Sequence, residues 1–360
     1  MGDSINNEIY QVRITINDIA CSSLDDVRKV APQSVWEFIA EFYDDKPFVV
    51  AHTSGSTGAP KPIKLPKHDM VASAQFTNEF FGLTAESTLY LGLSPQYIAG
   101  KMMLVRTLLL GASIIVETPS NRPLADCDGV RISLAAFVPS QIPYLVTQPD
   151  RLALVDAMIV GGGKLVSRWQ KALVELGAKA YLTYGMTETC SHVALAPVAE
   201  APEPYTALGE VQFSTDSNGC LIIDVPHFEN RHFVTRDVVE LIDSRHFYWK
   251  GRFDNVIVTG GIKVHPEELE AKIAPLMGER RFYISSTPSE KWGDEVVLVV
   301  ENADCVGQDS VLRPLPNNLE QEFKNLLPRY SVPKLYVELN KFDSTSSGKV
   351  IRKTFNPDTA

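Results

Sequence analysis

The chain has no run of Lys or Arg longer than two or three residues, and its 34 basic side chains are outnumbered by 44 acidic ones, for a net charge of −10. A general nucleic-acid-binding surface needs a basic stripe, so that class is excluded. Long apolar runs are also missing. The longest, 102–112, is interrupted by Arg106 and falls short of the ~20 residues of a bilayer span. The N-terminal stretch has neither a basic nor an apolar region of the kind a signal peptide carries. Cysteine is scarce: Cys21, Cys127, Cys190, Cys220 and Cys305 are scattered, odd in number and form no CxxC pair. Disulfide scaffolds and zinc ribbons are therefore not expected. The expectation is a cytoplasmic protein of reduced thiols with no membrane span.

What the chain does have is strand–helix alternation. Short β-branched runs at 47–51, 113–117, 134–138 and 157–160 predict strands, and the periodic segments 67–81, 101–110, 139–148 and 167–176 predict helices. The pattern predicts an α/β fold with at least one largely parallel sheet. Between 207 and 250 short strands and turn signals follow one another, which predicts an antiparallel, β-rich part. After Gly251 a strand at 255–259 meets Gly260-Gly261. A helix then starts near Pro266, with Glu267, Glu268 and Glu270 close behind. Strands at 281–286, 295–301 and 334–339 and a helix at 317–327 complete an α+β module of about a hundred residues. The predicted division is a large domain, 1–251, and a small one, 252–360.

The sharpest local signal is His52-Thr53-Ser54-Gly55-Ser56-Thr57-Gly58-Ala59-Pro60-Lys61, after a buried-looking strand. Four hydroxyls, two glycines and one lysine fall within 53–61. Glycines let backbone N–H groups approach an anion, and the hydroxyls and lysine add donors, which is chemistry for a polyphosphate. It is not a Walker A loop, because Pro60 and Pro62 flank the lysine where Gly and Ser/Thr are required.

The string from Thr53 to Lys61 matches, at every position, the T-S-G-[ST]-T-G-x-P-K signature of the adenylate-forming superfamily, and the chain is identified as a member of it. Further stretches resemble the family's other motifs, in family order. Gly161-Gly162-Gly163 and Tyr184-Gly185-Met186-Thr187-Glu188 resemble the adenine-binding segments. The resemblance implies that Tyr184 lies against adenine, that Thr187 contacts the α-phosphate and that Glu188 binds Mg²⁺. Thr235-Arg236-Asp237 resembles the family's Thr-Gly-Asp, whose Asp holds the ribose hydroxyls; Arg236 replaces the Gly. Gly251-Arg252-Phe253-Asp254-Asn255 with Gly260-Gly261 resembles the hinge signature. It implies that Arg252 meets ribose or phosphate, that the small domain turns about Asp254, and that Gly260 and Gly261 flank a route for CoA. Ser346-Ser347-Gly348-Lys349 resembles the C-terminal signature, without the family's upstream Pro, and implies that Lys349 is catalytic in the first half-reaction. Only 51 residues precede His52, so the resemblance also implies a shortened N-terminal part of the family fold, beside a mobile C-terminal domain.

Within the superfamily the chain resembles the o-succinylbenzoate–CoA ligase branch of menaquinone biosynthesis. Tyr97-Ile98-Ala99-Gly100, followed by Arg106 six residues after the Gly, resembles a Phe-His-x-Ser-Gly…Arg segment, with Ile98 where the branch has His. Phe137-Val138-Pro139-Ser140-Gln141 and Met186-Thr187-Glu188-Thr189-Cys190-Ser191 carry the rest of the likeness. The implied activity is ATP- and Mg²⁺-dependent formation of an acyl-adenylate, then of an acyl-CoA thioester, from an aromatic carboxylic acid. The alternatives are another aromatic-acid ligase, of benzoate or coumarate type, or a nucleotide-binding relative without ligase activity; oligomeric state stays open. Arg106 interrupts an apolar helical run, so it either pairs with a protein carboxylate or serves the acyl pocket of an acid with a second carboxylate.

Overall fold

The computed structural model describes residues 11–52, 62–127, 129–303, 311–344 and 350–355. Its centre is a run of five parallel strands in the spatial order Ser113–Val116, Thr88–Leu91, Leu134–Phe137, Met158–Val160, Ala180–Gly185. Side chains alternate strictly between the faces of this sheet. Leu89, Leu91, Leu134, Ala136 and Ile159 enter one core, and Tyr90, Ala135, Phe137, Met158 and Val160 the other. A parallel sheet covered on both faces needs such near-continuous apolar runs, which is why these segments read as strands from the sequence.

The spatial order places Thr88–Leu91, first of the five in the chain, between Ser113–Val116 and Leu134–Phe137. That is a doubly wound switch point, where the loops at the strand C-termini diverge and leave a crevice. Gln141 ties these loops together: its Nε2 donates to Ser120 O (2.8 Å) and Gly92 O (3.3 Å), and its Oε1 accepts from Val138 N (3.0 Å). With its hydrogen-bonding groups engaged and the residue buried, Gln141 holds the crevice wall.

Beyond Ala180–Gly185 the sheet turns antiparallel through His192–Pro197, Tyr205–Ala207, His246–Arg252, His232–Asp243, Cys220–Asp224 and Gln212–Thr215. At the opposite edge, Ile14–Ile16 pairs in parallel with Ser113–Val116 and folds back on Ile19–Cys21. Asn17 and Asp18 make that turn with φ of 45° and 66°, the positive values a tight hairpin turn demands and Asn/Asp tolerate. Strand Phe48–His52, expected as part of the α/β pattern, lies outside this sheet. It pairs antiparallel with Pro62–Pro66, and His52 opposes Pro62, so both ends of the 53–61 loop are pinned together.

The helix Lys67–Phe81 has the expected bounds, and Ile98–Leu110 starts three residues earlier than expected. The single helix expected over 139–148 is instead a chain of short turns: Pro139–Gln141, Ile142–Leu145 and Pro149–Leu152. Pro139, Pro143 and Pro149 each fit only the first turn of a helix, so each begins a new one.

A second sheet carries Ile262–Val264, Ile257–Thr259, Gly293–Glu301, Leu335–Leu339 and Arg313–Pro314, with Phe282–Ser289 on Gly293–Glu301. Helices Pro266–Met277 and Asn317–Leu326 lie on this sheet and share its core through Ile273 and Phe323. Among the described residues no helix is long and apolar enough to cross a membrane.

Candidate functional site

The expected adenine segments occupy the C-terminal ends of neighbouring parallel strands. Gly161 follows Met158–Val160, and a Cβ there would fall 2.3 Å from Thr183 Oγ1, so only glycine lets the two strand ends pack. Gly162 and Gly163 continue that turn. Tyr184 lies in Ala180–Gly185, its ring edge-on to Phe247 and Tyr205 with centroids 5.0 and 5.7 Å away. Its hydroxyl donates to Asp237 Oδ2 at 2.8 Å. Burial first, and the Asp237 charge second, hold the Tyr184 hydroxyl well above its ordinary pKa, so it stays a donor.

Asp237 is the node of the site. Trp249 Nε1 donates to its Oδ1 at 3.1 Å, and Arg252 Nη1 lies 3.5 Å from the same oxygen. The hairpin register dictates this meeting, because Asp237 stands opposite Arg252, and Val239 opposite Trp249. A carboxylate accepts at about four lone-pair positions, so Asp237 retains capacity for a diol. The expected residues Tyr184, Asp237 and Arg252 are thus brought together. Trp249 was not among them; alternation alone sets it on the face opposite Arg252, and the register shift between the Val238 and Val239 pairings, which brings both to Asp237, leaves no signal in the sequence.

Asp254, the expected hinge, lies in the Phe253–Asn255 turn and accepts from Arg252 Nη2 (3.2 Å) and from Arg236. Arg236, noted only as a departure from Gly, spans from the Asp237 strand to the hinge. The two arginines, Arg236 foremost, hold the Asp254 carboxyl below the usual carboxylate range.

Thr187 and Glu188 lie on a single helical turn, Thr187–Thr189, after Met186. Glu188 is exposed, and among the described residues its carboxylate has no hydrogen-bond or ion-pair partner. Among the described residues no cluster of three or more metal-ligating side chains exists. One free hard-oxygen donor suits Mg²⁺, which binds through one or two carboxylates together with substrate phosphates rather than in an all-protein cage.

Arg106 is 1% exposed, and among the described residues no carboxylate lies within ion-pair distance. Its Nη2 donates to Ser191 Oγ (2.9 Å), Nη1 approaches Met103 Sδ (3.4 Å), and the buried Nε has no partner. Burial lowers its pKa to about 9. The protein-carboxylate alternative for Arg106 is therefore not met among these residues.

Gly260 and Gly261, with φ of 57° and 78°, form the two-residue turn between Ile257–Thr259 and Ile262–Val264. Both values favour glycine, so the turn alone accounts for the pair. Thr53, Ser54, Gly55, Ser56, Thr57, Gly58, Lys61 and Lys349 lie outside the described residues. Just after Lys349, Arg352 is fixed on the second sheet by Glu270 Oε2 (3.0 Å) and Ile284 O (2.8 Å).

The model of the AMP-binding enzyme family matches residues 9–229. The chain belongs to the AMP-binding enzymes. It is 25% identical over 340 residues to the 2-succinylbenzoate–CoA ligase of Enterococcus faecalis, covering 85% of this chain and 68% of that one. An acyl-CoA synthetase (AMP-forming)/AMP-acid ligase II-like protein from Dyadobacter fermentans is 30% identical, with a TM-score of 0.58 over 88% of this chain and 91% of that one. The o-succinylbenzoate CoA synthetase of Bacillus subtilis, solved with its acyl-adenylate intermediate, shares the fold (TM-score 0.69, 19% identity, 84% and 67% covered). The same synthetase solved with ATP and magnesium gives a TM-score of 0.69 at 18% identity, with 84% and 68% covered. In this AMP-binding enzyme, then, the aromatic cluster around Tyr184, the Asp237 node and the free Glu188 carboxylate stand at one end of the parallel sheet.

Proposed function

We propose that this AMP-binding enzyme is an AMP-forming acid–CoA ligase acting on 2-succinylbenzoate. The observation that carries the reading is the assembly of Tyr184, Trp249 and Arg252 around Asp237, which suits a nucleoside. Asp237 would accept from the ribose diol, the Tyr184 ring would face the base beside Gly161–Gly163, and Arg252 would meet ribose or phosphate. The hydroxyls, glycines and Lys61 of the 53–61 loop would hold the β- and γ-phosphates.

A carboxylate is unreactive toward a thiol. Its attack on the α-phosphate of ATP releases pyrophosphate and gives an acyl-adenylate. The CoA thiol then adds to the activated carbonyl, and AMP leaves with the bonding pair of the broken acyl–oxygen bond. The chain needs no nucleophile of its own; its work is positioning and charge stabilisation. Glu188 would hold Mg²⁺, whose charge offsets that of the phosphates. Thr187 would contact the α-phosphate, and Lys349 would stabilise charge there during the first step. Turning of 252–360 about Asp254 would withdraw Lys349 and open a thiol route by Gly260 and Gly261.

The acid is read from Arg106. A buried guanidinium without a carboxylate partner is costly, and the second carboxylate of 2-succinylbenzoate, directly or through water, would compensate it. Ile98, where the branch carries His, favours a second reading, an aromatic-acid ligase of benzoate or coumarate type. The four described cysteines are free and buried, which supports a reducing, cytoplasmic setting.

The test is an end-point assay with ATP, Mg²⁺, CoA and a panel of aromatic and aliphatic acids. AMP and pyrophosphate formed with 2-succinylbenzoate are expected. AMP formed best with a monocarboxylic aromatic acid would transfer the assignment to the second reading. ADP as product, or no AMP with any acid, would overturn the ligase reading.

A further inference from the structure

Behind Arg106 runs a buried chain of hydrogen bonds that none of the motifs accounts for. Arg106 Nη2 donates to Ser191 Oγ at 2.9 Å. Ser191 Oγ lies 3.3 Å from His192 Nδ1, and His192 Nε2 lies 3.1 Å from Thr77 Oγ1. Thr77 Oγ1 donates in turn to Ser73 O, 3.3 Å away, within the helix Lys67–Phe81. Thr77, Arg106 and His192 are 0%, 1% and 7% exposed, and Ser191 is the half-buried member.

Ser191 Oγ accepts from a guanidinium that can only donate, and one direction satisfies every member of the chain from within it: the Ser191 proton goes to His192 Nδ1. The imidazole proton is then on Nε2 and points at Thr77 Oγ1, leaving the Thr77 proton for the Ser73 carbonyl. The opposite tautomer would send the Ser191 proton to an acceptor outside the chain and take the Thr77 proton away from the Ser73 carbonyl. Burial, then the Arg106 charge, hold the His192 pKa well below its ordinary value, so the ring is neutral.

The backbone delivers Ser191 to this place under strain. Cys190, a buried non-glycine, has φ of 59° and ψ of −32°. It follows directly on the turn that carries Glu188, and Thr189 Oγ1 donates to Ser191 O at 2.8 Å. A sparsely populated conformation of this kind persists only where its surroundings over-determine it. The strained residue sends Glu188 outward and Ser191 inward from one short segment.

We propose that His192 is a positioning and specificity-determining residue: it fixes Ser191 and, through it, the guanidinium plane of Arg106 at the acyl end of the site, selecting acids that carry a second carboxylate. The inference rests on the reading that Arg106 serves that carboxylate. A neutral imidazole suits the task because it is rigid and offers an acceptor and a donor to hydroxyls on its two sides. A cationic side chain there would repel Arg106, and an anionic one would neutralise it in place of the acid. An apolar one would deprive Ser191 of its acceptor and Thr77 of its donor, leaving Ser191, and the guanidinium bonded to it, free to turn.

The test compares 2-succinylbenzoate with benzoate in wild type, His192→Phe, His192→Gln and Thr77→Val. His192→Phe keeps a ring and removes both hydrogen bonds; Gln restores an acceptor and a donor. His192→Phe and Thr77→Val should raise KM for 2-succinylbenzoate about tenfold, the scale of one hydrogen bond to a charged group, with kcat and KM for ATP near wild type. KM for benzoate should not move, and His192→Gln should recover most of the loss. In wild type, the ¹⁵N shifts of His192 at pH 7 should be those of a neutral ring protonated on Nε2. Equal effects on both acids, no effect on either, or a ring protonated on Nδ1 would overturn the inference while leaving the ligase reading intact. Should His192→Phe fail to fold, Thr77→Val and the ¹⁵N shifts decide. If wild-type enzyme forms AMP with neither acid, both the inference and the ligase reading fall.

Discussion

Arg236 donates through Nε and Nη2 to the same oxygen of Asp254, Oδ1, at 3.0 and 2.5 Å, with its guanidinium 4.6 Å from the centre of the Phe253 ring. The family motif has Gly where this chain has Arg236, so the contact joins the ribose strand to the proposed hinge by a link that Gly cannot make. An exposed ion pair contributes little, enough to bias a rotation and too little to hold a fold. Arg236→Gly should therefore leave Tm within a few degrees and raise the rate of CoA transfer relative to adenylation about two- to fivefold. Single-turnover measurement of each half-reaction checks this; an unchanged ratio would show that the contact does not restrain the hinge.

The same pair carries a pH expectation. Arg236, then Arg252, lowers the folded-state pKa of Asp254, so the contact is fully present above the ordinary carboxylate value of ~3.9 and is lost as pH falls through the lower folded value. Between pH 5.5 and 8 the difference between wild type and Arg236→Gly should stay constant, whereas ionic strength should shrink it. A difference that varies with pH in that window would point to another titrating group.

Asp254→Pro should act in the opposite sense to Arg236→Gly. Proline also removes the carboxylate that both arginines hold, but by fixing φ in the Phe253–Asn255 turn it stiffens the pivot itself, and that effect dominates. Adenylate should form and accumulate while CoA transfer slows about tenfold or more, a lost rotation being a lost step of turnover. Rapid quench with labelled ATP separates the two, and unchanged overall turnover would remove Asp254 from the hinge.

Glu188→Gln keeps size and removes charge from a side chain that is exposed and, among the described residues, unpartnered. Tm should move by no more than a degree or two, since an exposed side chain without contacts contributes about 0.5 kcal/mol or less. Adenylation should fall ~10²-fold or more, with a shallower Mg²⁺ titration. Trp249→Phe supplies a contrast at the nucleoside end. It removes only the donor to Asp237, so KM for ATP should rise about tenfold with the Mg²⁺ dependence unchanged.

The sheet was legible because its strands are buried on both faces and leave an apolar run in the sequence, as at Leu134–Phe137. Strand Ile14–Ile16 was not, since three residues carry too little periodicity to be seen, and its turn uses Asn17 and Asp18 in place of glycine. Helix 139–148 misled because its apolar spacing is helical while its prolines are not. At the site, Tyr184, Asp237 and Arg252 could be named because they lie in local strings. Trp249, Thr77 and His192 could not, because their partners are set by hairpin register and by packing between a helix and a strand 115 residues apart. Arg106 was visible as a charge inside an apolar run, but whether a carboxylate met it depended on the surrounding fold.

Arg106→Met decides between the two accounts of that charge, because they predict opposite signs. Had a protein carboxylate paired with the guanidinium, its removal would leave a buried anion and cost about 3–5 kcal/mol. Among the described residues there is no such carboxylate, and burial alone has already pushed the arginine pKa down to about 9. The charged side chain is thus a cost the folded protein bears without the acid, and Met, of similar length and beside Met103, removes it. Tm of the ligand-free variant is expected to stay level or rise. KM for 2-succinylbenzoate should increase tenfold or more, about the loss of one charge-assisted contact, while KM for ATP is unchanged. Discrimination against monocarboxylic analogues should narrow by the same factor. Thermal denaturation with and without the acid reads both halves: in wild type the acid should raise Tm, and in Arg106→Met it should not. A variant that loses several degrees of Tm but keeps its acid preference would show that Arg106 is a structural residue, and would withdraw the principal support for a dicarboxylic substrate.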